Sequence, residues 1–513
     1  MPIRMTDDDD ANGGYSGNQS NRSSRGGGGG GGGGNIIMML LPFLFRYPKI
    51  VIPVLLIGGA IYLFKGGCSG GTSRESRASY GTGATLDQNV YDSAQVYAAL
   101  SPDEQLPDRV SLERFAPQAQ DQGQQGSCVG WGSTYAARTI LESVNTGQDP
   151  DKIAFSPAYT YNQIGLEGCQ GTYINKAMDL LTNNGSVPFS SFPYDERSCS
   201  KQPDSYIKKD AAQFRMKGAN RLSISGDDYT IDVNAIRENL AHNAPVVIGM
   251  MVGGSFMQDM EGKEYWQPTN GDQSQNGFGG HCMCIIGYDD RYFEQDGAFL
   301  IQNSWGPKWG KKGRAWVSYR DVVTFATEAY GMFPMPDKKD QGSLSCSLAL
   351  VEKESKQYIP LTYKGNNVYS TSGKVPAGTK FKVELKNNIE CYAYIFGKET
   401  DNGSYVLFPY TPKHSAYCGI TGTRVFPRDK SMTPDNIGTK DYICVLVSKV
   451  ALDFRALNEK FNADKNKDYQ QRINAIIADK AIRDVKFNVG SKVDFTADVT
   501  EKTVIPVIIE INK

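Results

Sequence analysis

Nine consecutive glycines, Gly26–Gly34, divide this chain before any fold is considered. Glycine loses more backbone freedom on ordering than any other residue and brings no side chain to bury. With the acidic run Asp7–Asp10 and the Asn/Ser-rich sequence that follows it, the glycines set residues 1–35 apart as an expected disordered tail. Apolar sequence comes next in two blocks, Ile36–Phe45 and Ile50–Phe64, broken by Arg46-Tyr47-Pro48-Lys49. A spanning helix takes about 20 apolar residues. The second block has 15, and about 18 with Tyr47 and Pro48 at the interface. Between two low-complexity stretches a core helix would have nothing to pack on, so residues 36–65 are read as a single-pass membrane anchor. The late start of the apolar core and the acidic tail argue against a cleaved signal peptide. Lys65 stands where a lipobox would have Leu, which argues against lipidation of Cys68.

A chain of 513 residues exceeds one compact core, so two or three domains are expected. Residues 66–105 begin Gly/Ser/Thr-rich and read as a linker. From 106 to 333, apolar segments alternate with Gly/Pro/Asn turns, and the polar run Pro334–Gln341 marks a boundary. Residues 342–513 read as a β-rich or α+β second domain of unknown role. Strands are expected at Phe381–Leu385, Tyr392–Phe396, Tyr405–Phe408, Ile443–Val450 and Val504–Ile511, with helical spacing over Leu452–Asp484. The net charge of −1 offers no electrostatic footprint for nucleic acid.

Only three histidines exist in the chain, His242, His281 and His414, so any histidine-dependent chemistry must choose among them. Asp121-Gln122-Gly123-Gln124-Gln125-Gly126-Ser127-Cys128 is a tight turn leading into a helix expected from Val129 to Val144. A cysteine at a helix N-terminus meets unpaired backbone N–H groups and the positive end of the dipole, both of which favour the thiolate. Gln122 lies six residues earlier, where its amide and the Cys128 N–H can hold a developing oxyanion. His281 opens an expected strand, Gly279–Tyr288, and Asn303 ends another, Phe299-Leu300-Ile301-Gln302-Asn303. Pairing those strands would bring Asn303 onto the imidazole, with Trp305 shielding the contact from water.

These segments resemble the papain (cathepsin-type) family of cysteine peptidases. The matching motifs are Gln122-Gly123 through Gly126-Ser127-Cys128, the Gly-His segment, and Asn303-Ser304-Trp305-Gly306-Pro307-Lys308-Trp309-Gly310. Cys128 and His281 are 153 residues apart, near the family spacing of roughly 130–150. Leu106-Pro107-Asp108-Arg109-Val110 is similar to the start of a mature enzyme, and Gly168-Cys169-Gln170-Gly171 to a loop lining the family's cleft. The resemblance implies an α+β, two-lobed papain-like fold over 106–333, helical on the cysteine side and β-barrel-like on the histidine side. It implies a membrane-tethered, bacterial-type endopeptidase with a Cys128–His281–Asn303 triad, Gln122 in the oxyanion hole and no cofactor. Peptide or protein substrates would contact Gly171, Thr172, Tyr173 and Trp305, with a hydrophobic residue preferred two places before the scissile bond. The catalytic domain is expected outside the cytoplasm, the flanking positive charges leaving orientation open; oligomeric state is not legible.

Three departures from the family stand out. Val129 follows the nucleophile where an aromatic is usual. Gln125 replaces a cysteine, so Cys169 is expected to pair instead with Cys199 in an oxidising compartment. The long helical propeptide is missing, which is unlike a conventional zymogen. Competing readings are an inactive peptide-binding homologue and a Cys-dependent transpeptidase or amidase. His242 and His414 are read as structural, and Cys282 and Cys284 as small core residues. Asp464–Asp468 opens like a calcium loop but has Tyr469 and Ala475 where Gly and Glu are needed, so no metal is expected.

Overall fold

The computed structural model describes residues 1–8, 80–101, 104–293, 296–333, 343–499 and 501–513. The expected anchor at 36–65, most of the tail, the start of the linker and the boundary run lie outside the described residues. Among the described residues no helix is long and apolar enough to cross a membrane.

Residues 3–7 correct the expectation of a wholly disordered tail. They form strand β1 (Ile3–Asp7), which pairs antiparallel with a strand of the second domain. Averaging over 1–35 hid a short alternating segment, Ile3-Arg4-Met5-Thr6, that a sheet edge can accept. Residues 80–101 likewise do more than link. Helix α1 (Gln88–Ser93) is capped by Asp87, whose carboxylate accepts from the N–H groups of Asn89 and Val90. Tyr91, Val96, Tyr97 and Leu100 are buried. Val96 hydrogen-bonds Lys413 and Ser415 of the second domain while Tyr97 bonds Arg221 of the first, so this stretch lies between the two.

The first domain joins helices to one eight-stranded sheet. Its strands are β2 (Arg109–Ser111), β3 (Ala219–Arg221), β4 (Val246–Val252), β5 (Tyr265–Trp266), β6 (Gly279–Asp289), β7 (Ala298–Gln302), β8 (Arg314–Ser318) and β9 (Ala326–Met332). The order is β3-β9-β4-β6-β7-β8-β5, with β2 on β6. β6 is buried from His281 to Tyr288, and a strand covered on both faces reads as the continuous apolar run seen there. A continuous helix, α2, covers residues 128–146, its middle wound as a π-helix. Helices α3 (Pro157–Ile164) and α4 (Ile174–Asn183) pack beside it, and α5 (Val233–Ala241) lies against the sheet. A Cβ on Gly132 would meet the Cys282 sulfur at 2.8 Å, so the missing side chain lets α2 close onto β6.

The second domain is a pair of sheets. One has eight strands, β1 with β10 (Ser343–Glu352), β11 (Tyr358–Ile359), β14 (Phe381–Asn387), β18 (Gly422–Phe426), β19 (Lys430–Pro434), β21 (Val485–Asn488) and β22 (Val493–Asp498). The other has seven: β12 (Leu361–Gly365), β13 (Val368–Thr371), β15 (Cys391–Lys398), β16 (Ser404–Phe408), β17 (Tyr417–Cys418), β20 (Lys440–Ser448) and β23 (Val504–Asn512). An apolar core including Leu348, Phe381, Ile395, Val445 and Val507 lies between them. Helices α6 (Phe454–Asn462) and α7 (Tyr469–Ile477) cover a second cluster on the seven-stranded sheet.

Candidate active site

Cys128 opens α2, and His281 sits on the neighbouring β6. The backbone N–H groups of Cys128, Val129 and Cys282 point at the Cys128 sulfur, which places it against the residue that follows His281. His281 Nε2 is 2.7 Å from Asn303 Oδ1, and that oxygen also accepts the Ser304 N–H at 2.7 Å. His281 Nδ1 is buried with no hydrogen-bond partner among the described residues. The Trp305 ring stacks on the imidazole with centroids 4.3 Å apart, and Trp309 meets Trp305 edge-on. These contacts fix the ring's tilt and leave one nitrogen free for a proton.

Gln122 is oriented by a residue that sequence reasoning missed. Ser304 Oγ donates to Gln122 Oε1 at 2.6 Å, which turns the amide N–H₂ away from it. That Nε2 donates to the carbonyl oxygens of Gly81 at 3.1 Å and Gln125 at 2.9 Å. The adjacent Asn-Ser pair thus serves both sides of the site, one through histidine and the other through glutamine.

A second missed element is the strap, residues 80–85, which threads the site. Tyr80 stacks on Trp305 at 4.7 Å, and Trp305 Nε1 donates to Gly81 O at 2.8 Å. Gly83 and Ala84 N–H both donate to Gly280 O, and Ala84 forms a parallel bridge to Thr172. Thr172 N–H donates to Gly83 O at 2.9 Å, and Thr85 N–H to Thr172 O at 3.0 Å. The Ala84 N–H also points at the Cys128 sulfur. Gly83 has φ +149°, and a Cβ there would meet Gly126 O at 2.3 Å. Only glycine seats this close, and the sequence signal was a bare Tyr80-Gly81-Thr82-Gly83-Ala84 inside an apparent linker.

Beneath the strap Cys128 and His281 are fully buried. Burial pushes the Cys128 thiol up to about 12, against the N–H groups that favour its thiolate. Burial also draws His281 down to about 4, with the Asn303 contact opposing. With the strap seated, desolvation opposes charge on both groups and outweighs the helix end that favours the thiolate.

Of the remaining sequence-stated residues, Gly171 N–H donates to Tyr161 OH at 3.1 Å, and Tyr173 precedes α4 with Lys176 over its ring. Cys169 and Cys199 are joined in a disulfide. Val129 is buried in the core, and Trp131 packs on Tyr135 and Tyr194. His242 ends α5, its Nδ1 2.8 Å from Glu238 O, and His414 Nδ1 is 2.8 Å from Thr411 Oγ1; both serve local structure. Cys282 and Cys284 are buried, and among the described residues no three side chains are grouped to hold a metal.

Residues 107–332 match the family model described as papain family cysteine protease, so this part of the chain is a papain family cysteine protease domain with a papain-like fold. The similarity extends to curated relatives. Cathepsin B-like CP2 of Giardia intestinalis is 28% identical over 202 residues, 38% of this chain and 62% of that protein. Cathepsin B-like CP3 of the same organism is 27% identical over 219 residues, 41% of this chain and 68% of that protein. Pro-cathepsin H of Bos taurus is 26% identical over 232 residues, 43% and 62% of the two chains. Among solved structures, xylellain, a cysteine protease from Xylella fastidiosa, aligns with a TM-score of 0.40 at 22% identity, over 51% of this chain and 98% of that one. The second domain lies outside the matched family segment.

Proposed function

We propose that this chain is a cysteine-type peptidase in which Cys128 is nucleophile, His281 base and Asn303 orienter, and which residues 80–85 hold latent. The observation that carries the reading is His281: one ring nitrogen is held 2.7 Å from Asn303, and the other is buried without a partner beside the cysteine-bearing helix. Once the strap leaves, water and substrate replace it over the pair. His281 Nδ1 then takes the thiol proton, and the sulfur attacks the scissile carbonyl. The carbonyl oxygen becomes anionic against Gln122 Nε2 and the Cys128 N–H. The intermediate collapses to an acyl-enzyme as His281 gives its proton to the leaving amine, and water then releases the acid with Cys128 restored.

Glu328 bears on selectivity. It lies on β9 opposite Gly249, and a Cβ on Gly249 would meet Glu328 Cγ at 2.8 Å and Ile174 Cδ1 at 3.3 Å. The acid is buried, which raises its pKa to about 8, and among the described residues it forms no ion pair. A basic side chain arriving beside Ile174 would favour the ionised form of this carboxyl and pair with it, which adds a basic residue to the hydrophobic one expected two places before the scissile bond.

The test is digestion of a diverse peptide mixture under reducing conditions by the full chain and by Gly83→Val, each with and without Cys128→Ala. Cleavage by Gly83→Val that Cys128→Ala abolishes is the expected result. Folded Gly83→Val that binds peptides and cuts none would install the inactive peptide-binding reading. Products carrying an added amine in place of water would install acyl transfer.

A further inference from the structure

β1 is built into the second domain more firmly than a passing contact. Five residues pair in antiparallel register with β19, from Ile3 opposite Pro434 to Asp7 opposite Lys430. The Ile3 side chain is fully buried in the core that holds Phe381, Tyr405 and Met432. Tyr405 OH accepts the Ile3 N–H at 2.9 Å and donates to Ile3 O at 3.0 Å. At one end of the strand, Asp435 N–H donates to Pro2 O at 2.7 Å, and the Asp435 carboxylate holds Lys513 at 2.8 Å. At the other end, Asp8 is 2.6 Å from Lys382 and accepts from Ser431 Oγ at 2.6 Å.

Neighbouring strands in a sheet lie about 4.8 Å apart, whereas the hydrocarbon of a bilayer is about 30 Å thick. No hydrogen-bonded strand pair straddles it. An odd number of crossings between residue 8 and residue 80 would leave β1 and β19 on opposite faces. We propose that residues 3–7 and the second domain share one aqueous compartment, on the same face of any bilayer to which the chain is bound. The apolar stretch between them consists of blocks of 10 and 15 residues interrupted by Arg46-Tyr47-Pro48-Lys49.

The test uses the full chain in membranes of the cells that express it. Arg4 and Thr433 are directly opposite in the register and neither is buried, so Arg4→Cys with Thr433→Cys reports pairing without touching the core. On treatment with diamide, a disulfide between positions 4 and 433, found by peptide mass mapping against wild type, is expected. In sealed vesicles, Arg4→Cys alone and Val489→Cys alone, the latter on a residue 84% exposed, are treated with a membrane-impermeant maleimide. Labelling of both, or protection of both until detergent is added, supports the proposal. A 4–433 bond between two chains also supports it, as strand exchange on one face. Labelling of one position and protection of the other, with no 4–433 bond, overturns it.

Discussion

The cleft and the seam between the two domains differ in how their central buried polar groups are partnered. At the cleft, His281 Nδ1 and Asn303 Nδ2 are enclosed with no partner among the described residues. At the seam, Arg424 is fully buried, yet its Nε donates to Ala98 O at 3.1 Å and its two amino groups donate to Asn387 Oδ1 at 2.5 Å and Ile420 O at 2.7 Å. Nearby Glu238 accepts the Leu100 N–H at 2.8 Å, and Arg428 pairs with Asp232 at 2.6 Å. An enclosed polar atom without a partner costs about 1–3 kcal/mol. The seam is not uniformly matched, since Tyr97 Oη and Arg428 Nη1 are also enclosed without a partner among the described residues, but its buried guanidinium at Arg424 is.

The sharpest way to break that contrast is at the catalytic groups. Cys128→Ala or His281→Ala, made in the strap-released Gly83→Val background, should lower peptide hydrolysis by at least about 10³-fold while the thermal unfolding midpoint stays near that of the background. Equal activity in the variants would remove the chemistry from the cleft. Next comes the strap itself. Gly83→Val puts a branched side chain where φ is +149° and the Gly126 carbonyl is in the way. Alkylation of Cys128 at pH 7 should rise about 100-fold or more, because the thiol now held at about 12 becomes hydrated beside a basic imidazole. The sign with pH follows from His281. It is held at about 4 against an ordinary 6.5, so the released form binds the extra proton between those values and acid favours release. An alkylation rate for the wild type that does not rise relative to Gly83→Val on going from pH 6.5 to 4 would contradict this.

The seam answers to stability. Arg424→Met leaves Ala98 O and Asn387 Oδ1 without this donor and should cost about 3 kcal/mol in denaturant unfolding, with the alkylation rate of Cys128 in Gly83→Val unchanged. Glu238, raised to about 7 by burial, and Glu328, raised to about 8, are protonated in the folded chain at pH values where the unfolded chain has released those protons. Stability should therefore fall as pH rises from about 4.5 to 8, and Glu238→Gln should flatten part of that slope. The smallest effect is on selectivity: Glu328→Gln should reduce preference for Arg or Lys two places before the cut by about 10-fold in a peptide library. An unchanged profile would detach Glu328 from the substrate.

Legibility divided along the same line. Cys128, His281, Asn303 and Gln122 lie in contiguous motifs, because each depends on a local device: a helix start, a strand mouth, a turn. Ser304 stood inside one of those motifs, but its bond to Gln122 joins residues 182 positions apart, and no periodicity reports it. The strap was hidden by composition, since Gly81 and Gly83 signal a flexible linker equally well. Glu328 reads as one more polar residue on a strand until the register sets it opposite Gly249.

The sequence by itself determined the chemistry available, the helix that opens at Cys128, the strands carrying His281 and Asn303, and the apolar blocks at 36–64. Tertiary structure alone decided that Tyr80–Thr85 lies over Cys128 and His281, that burial beneath it opposes charge on both, and that Ile3–Asp7 belongs to a sheet whose next strand begins at Lys430. The physical reason is common to all three. Side-chain identity and local spacing are written in the chain, whereas desolvation and strand partnership depend on what distant segments exclude from water.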